Sequence, residues 1–112
     1  MRCIVERLYK VAVSTVTEDL EVNPRSTQER IRWTRLIAFD ATTATTYIEV
    51  GMKHGSSRYP ATRAAAPAAH AGVETDVPLE LQGDWVPYAR FAGATAGDAL
   101  HFMAFGYHVD DL

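Results

Sequence analysis

One cysteine in 112 residues excludes two common kinds of small protein. Cys3 by itself can close no disulfide within the chain and can seed no multi-cysteine zinc site. Inside RCIVERLYKVAV it reads as a small buried hydrophobe, not as a reactive thiol. Long apolar runs are also missing: none approaches the about 18 residues of a membrane helix, and Glu6, Arg7 and Lys10 interrupt the opening segment where a signal peptide needs an unbroken apolar middle. The expectation is a soluble chain made in a cytoplasm, with no membrane partner. Concentrated positive charge is absent as well. The net charge is −3, and Arg2, Arg7, Arg25, Arg30, Arg32, Arg35, Arg58, Arg63 and Arg90 form no tract. The densest group, ERIRWTR, has the spacing of a solvated or subunit-facing strand, so no nucleic-acid partner is expected.

Catalytic constellations are equally scarce. His54, His70, His101 and His108 are scattered, and the offset of seven between the last two sends them to opposite faces of a strand. No metal site and no cofactor is expected. Ser56 and Ser57, near His54, lack the strand-to-helix elbow of a serine nucleophile, and GATAG lacks the strand-then-helix setting of a dinucleotide loop. Asp40, Glu49, Asp76, Glu80 and Asp84 read as strand-face or turn residues, and the terminal Asp110 and Asp111 as solvated acids. The chain is expected not to be an enzyme.

What is present is β-sheet patterning. Hydrophobic residues make up 47% and charged residues 22%, a balance that favours one compact core over disorder. Residues 2–13 alternate as a strand would, and the polar, turn-rich STVTEDLEVNPRSTQER after them reads as a long loop or arm, with room for a short helix over 17–22. RIRWTRLIAFD and YIEVGMK alternate across DATTATT and are expected to form a hairpin. The Ala/Pro-rich ATRAAAPAAHAGVE predicts a short strand and then a loop. Val77–Leu81 and Trp85–Phe91 follow, with Pro78 and Pro87 suggesting edges or strand starts. A closing hairpin is expected around GATAGD, where Gly93 and Gly97 can take positive φ and Asp98 can bond its own backbone. Six to eight short strands without a βαβ pattern predict an all-β fold, an antiparallel β-sandwich of jelly-roll-like architecture. Residues 1–29 are its N-terminal strand and arm and residues 30–112 its sandwich body, in one folding unit. The competing fold is α+β, with a helix within 15–29 or 61–71.

The last strand raises a question. Leu100, Phe102 and Ala104 alternate with Met103, Phe105 and Tyr107, so both faces are apolar, whereas a two-layer sandwich needs only one. Something must cover the second face, either residues 1–29 or another subunit. Val5, Tyr9, Val11, Trp33, Trp85, Phe105 and Tyr107 are the candidate interface residues. Trp33, Trp85, Tyr47, Tyr59 and Tyr88 are alternatively a platform for sugar rings, the mark of a carbohydrate-binding module.

Over about residues 30–108 the chain resembles the small β-sandwich virion proteins encoded in tailed-bacteriophage structural gene clusters. The resemblance lies in RIRWTRLIAFDATTATTYIEVGMKHG and in VPLELQGDWVPYARFAGATAGDALHFMAFGY, as pattern and not as a diagnostic motif. It implies a non-enzymatic structural protein of the virion, a decoration or cement protein on the capsid surface. Its implied partners are the major capsid protein and copies of itself, with a trimer as one arrangement. A tail- or fibre-associated role is the alternative within the same particle.

Overall fold

The computed structural model describes residues 3–13, 17–26 and 28–109. Eight strands account for most of them: β1 Cys3–Val11, β2 Glu18–Glu21, β3 Arg30–Asp40, β4 Tyr47–His54, β5 Ser57–Ala65, β6 Val73–Gln82, β7 Trp85–Ala92 and β8 Ala99–His108. They form two four-stranded sheets, a front sheet in the order β1-β8-β3-β6 and a back sheet in the order β2-β7-β4-β5. Every pairing is antiparallel. This interleaving of odd and even strands is the double Greek key of a jelly roll, so the all-β sandwich predicted from the alternation is the observed architecture. There is no helix among the described residues: 18–21 is β2, and the Ala-rich stretch enters β5, which runs on to Ala65.

The core lies between the sheets and follows from period-2 alternation. Ile31, Trp33, Leu36 and Ala38 of β3 and Leu100, Phe102 and Ala104 of β8 meet Ile48, Val50 and Met52 of β4 and Ala89 and Phe91 of β7. A bulge between Trp33 and Arg35 shifts the alternation of β3 so that Leu36 and Ala38 still point inward. Gly106 leaves room for the Trp33 ring, since a Cβ there would lie 2.9 Å from it. Residues 3–13 and 17–22, expected as an arm apart from the body, are built into the two sheets: β1 pairs with β8 along its whole length, β2 pairs with β7, and Ile4, Ala12, Leu20 and Val22 are buried with the rest.

Two expected hairpins have a different form. Strands β3 and β4 lie in different sheets, and so do β7 and β8. Turn chemistry was read correctly at the second site, where Gly93 and Gly97 have φ of 75° and 92° and the Asp98 carboxylate accepts the Thr95 N–H. It reverses the chain, but which sheet the next strand joins depends on partners far away in sequence. Among the described residues only β4 and β5 form a hairpin within one sheet, turning at 54–57. Pro78 does lie in an edge strand, β6, but Pro87 is in β7, between β2 and β4. Pro87 is tolerated there because its carbonyl accepts Val22 N–H just past the end of β2, so the side on which its own N–H is missing is the side where the ladder has stopped.

Candidate functional site

The outer face of the front sheet is the most distinctive surface of the molecule. On β8, Leu100, Phe102 and Ala104 fill the core, while His101, Met103, Phe105 and Tyr107 point out and are only half-buried. Their cover is lateral. The register places Tyr107 beside Cys3, Phe105 beside Val5, Met103 beside Arg7 and His101 beside Tyr9 on one flank. On the other flank Met103 faces Ile37 and His101 faces Phe39. Both faces of the last strand are therefore apolar for different reasons, the inner one to pack against the back sheet and the outer one to form a mainly apolar surface with β1 and β3, interrupted by Arg7 beside Met103. Nothing in the chain lies over that surface among the described residues: Val5 is 55%, Tyr9 60% and Val11 46% exposed. Cys3, expected to be buried, is exposed on the same side, because β1 starts in the opposite phase and buries Ile4.

A groove of about 410 Å³ runs across this face, lined by Arg7, Leu8, Tyr9, Phe39, His101 and Met103. His101 stacks on Phe39 at 4.8 Å and 13° and meets Tyr9 at 5.0 Å and 56°, so a ring triplet spans three adjacent strands. Arg35 and Glu74 pair at the β3/β6 margin, which gives the apolar area a charged border. A mainly apolar area with one charge, Arg7, inside it and a charged border has the anatomy of an association surface.

The seven candidate interface residues separate into three places. Val5, Tyr9, Val11, Phe105 and Tyr107 come together on this outer face. Trp33 does not: it is 1% exposed, held in the core by the inward phase of β3, and can neither meet a partner nor stack on a sugar. Trp85 lies elsewhere, at an end of the back sheet, stacked on His54 at 4.6 Å and meeting the tilted Tyr59 ring at 5.3 Å, with His54 Nε2 3.0 Å from the Asp84 carboxylate. The stacked His54 covers one face of the indole that a sugar would need.

The titratable groups are arranged in two other ways. On the outer face of the back sheet, Asp19 accepts from Arg90 at 2.9 Å and from Arg58 at 3.2 Å, and Glu49 accepts from Arg63 and from the Tyr88 hydroxyl, each at 2.7 Å. Burial alone would raise both carboxyls, but these donors hold Asp19 and Glu49 below the usual carboxylate range. Burial and the Glu49 carboxylate push the Tyr88 hydroxyl up. At the loop end of the sandwich, Asp40 and Asp98 are each 1% exposed and lie against one another. Burial, then the neighbouring Asp98, raises Asp40; Asp98 is lowered despite its burial, because Asp40, Thr43 and the Thr95 N–H hydrogen-bond to it. A protonated Asp40 donating to an ionised Asp98 accounts for both shifts and gives Asp40 Oδ2 the partner it otherwise lacks. This pair ties the loop after β3 to the loop before β8. The sequence marks Asp98 as a turn residue but not its partner, 58 positions earlier, because nothing local links them.

Among the described residues no three His, Cys, Asp or Glu side chains converge as metal ligands. His101 faces out and His108 in, as their odd spacing requires. Asp110 and Asp111 lie outside the described residues.

No protein-family model and no curated protein matches the chain. Among solved structures, the core of a Drosophila protein, NLP, whose structure is described for pentamer formation and histone binding, overlaps with a TM-score of 0.43 at 11% identity, covering 96% of this chain and 100% of that one. A structure of infectious bursal disease virus, Gx strain, overlaps with a TM-score of 0.39 at 10% identity, covering 100% of this chain and 34% of the viral one. Both overlaps are loose, and the chain's own surface is what points to a function.

Proposed function

We propose that the protein is a non-enzymatic structural subunit of a bacteriophage virion, a decoration or cement protein that lays the outer face of its front sheet against the major capsid protein. The observation that carries the reading is the uncovered apolar face of β1, β8 and β3, with Val5, Tyr9 and Val11 about half-exposed around Met103, Phe105 and Tyr107. A contiguous apolar area of this kind, bordered by charge, fits a permanent partner better than water. The resemblance of residues 30–108 to phage virion proteins gives the partner its class. The subunit would be made in the host cytoplasm and end on the capsid surface. The geometry gives less support to a sugar-binding module, since Trp33 is buried and Trp85 is already stacked.

Cosedimentation of the purified chain with purified phage heads tests the reading. The wild-type chain is expected to pellet with heads at a fixed ratio, and Phe105→Asp to stay in the supernatant. A wild-type chain that never pellets, together with particles whose mass spectra lack it, would overturn the reading.

A further inference from the structure

We propose that two copies of this chain pair edge to edge through β1, antiparallel about a two-fold axis, joining their front sheets into one eight-stranded sheet. The dimer is a property of the chain alone and does not depend on the capsid reading.

The first observation is how the four sheet edges differ. Exposed edges invite pairing, and natural sheets blunt them with short strands, bulges and proline. Strand β2 is 4 residues long. Strand β5 carries Pro60 beside a bulge, and β6 carries Pro78. Strand β1 is different: its 9 residues contain no proline, pair without a bulge to β8 on one side, and have no strand on the other among the described residues. Its outward residues Val5, Tyr9 and Val11 are β-formers at exposed positions.

The second observation is charge complementarity, which selects one register. In an antiparallel self-pair the numbers of facing residues have a constant sum, and an even sum keeps facing side chains on the same side of the sheet. Setting Glu6 against itself, Arg7 against itself or Lys10 against itself puts like charges on the two-fold axis, which is destabilising. Setting Tyr9 against itself pairs no charges. Setting Leu8 against itself places Glu6 of one copy opposite Lys10 of the other, twice by symmetry, with Val5 opposite Val11, Arg7 opposite Tyr9 and Ile4 opposite Ala12. Within each copy Arg25 already donates to Glu6 at 2.7 Å and Lys10 to Glu18 at 2.8 Å. The Leu8-centred register therefore extends these into an alternating row, Arg25, Glu6, Lys10, Glu18, running across the two-fold. It also joins the apolar faces of the two copies.

Sedimentation equilibrium on the purified chain tests the interface, with three proteins that change only exposed positions. Wild type is expected to be a dimer. Val5→Lys combined with Val11→Lys places lysines opposite one another twice and should raise the dissociation constant about tenfold or more. Val5→Lys combined with Val11→Glu places a lysine opposite a glutamate twice and should restore the dimer. Circular dichroism should show the same β signal in all three. A monomeric wild type, a dimer that survives both lysines, or a Lys/Glu variant as monomeric as the Lys/Lys one would each overturn the pairing. The last outcome would mean that the exposed valines meet a partner face to face instead.

Discussion

The outer faces of the two sheets do the same topological job with opposite chemistry. Strand β8 is an inner strand of the front sheet and β7 of the back sheet, and each sends alternate residues to solvent. From β8 and its neighbours come Met103, Phe105, Tyr107, Val5 and Tyr9; from β7 and its neighbours come Arg90, Tyr88, Asp19 and Glu49, joined by Arg58 from β5. The back face completes itself. Its rings are covered by its own charges: Tyr88 is fully buried, with Arg58 6.0 Å from its centroid and its hydroxyl on Glu49, and Arg63 lies 4.0 Å from the centroid of Tyr47. The front face leaves its rings and aliphatic groups open, with Arg7 as a charge within the groove and the Arg35–Glu74 pair at the β6 side. A sandwich needs only its inner faces to fold, so each outer face is free to be finished either for water or for a partner.

The contrast can be broken most directly from the front. Phe105→Asp or Tyr107→Asp is expected to weaken association with the capsid partner about ten- to a hundredfold, the loss of one buried large side chain of about 1.5 to 3 kcal/mol. The β signal of the chain alone should be retained, as checked by cosedimentation and circular dichroism on the same preparation. A matching change on the back face should do the reverse. Glu49→Ala leaves the buried Tyr88 hydroxyl without its acceptor and is expected to cost about 1 to 3 kcal/mol of folding stability, read by urea denaturation, with association unchanged in the fraction that remains folded.

Acid separates the two faces further. Asp19 and Glu49 have folded pKa values below their ordinary 3.8 and 4.5, so the stability they contribute is present above those values and is lost as pH falls through the lower, folded ones. Asp40 has the opposite sign: its folded pKa is raised, so its contribution is complete below 3.8 and is lost as pH rises through the folded value. Asp40→Asn keeps a neutral donor toward Asp98 at every pH. The variant should gain thermal stability relative to wild type on going from pH 4 to pH 8, and a constant difference across that range would show that the pair shares no proton. The smallest effect expected is that of salt. Raising sodium chloride to about 1 M shortens the Debye length to roughly 3 Å, which should loosen the exposed pairs of the back face slightly while leaving apolar association at the front intact or strengthened. Comparing the urea midpoint with the sedimentation profile across the same salt series would show it.

The alternation in YIEVGMK and ALHFMAFGY placed two strands and their faces, because a strand's two faces are set by neighbours two positions apart. In RIRWTRLIAFD it placed the strand but put Ile37 and Phe39 on the face of Ile31 and Trp33, whereas the bulge after Trp33 turns Leu36 and Ala38 inward instead. The excess of apolar residues on β8 was likewise legible, since it is written in one continuous stretch. Other features depended on distant chain. The turn residues near Asp40 and Asp98 fixed where the backbone reverses but not that β4 and β8 would enter the opposite sheet, nor that these two acids would meet there. Trp33 and Phe105 both looked like alternating aromatics of a half-buried strand; the bulge after Trp33 and the approach of Gly106 put one in the core, while the lateral cover of β1 and β3 leaves the other at a surface. Local sequence determines the period and phase of a strand. Which sheet it joins, and so which of its faces remains to be covered, is decided only when pairings separated by dozens of residues close together.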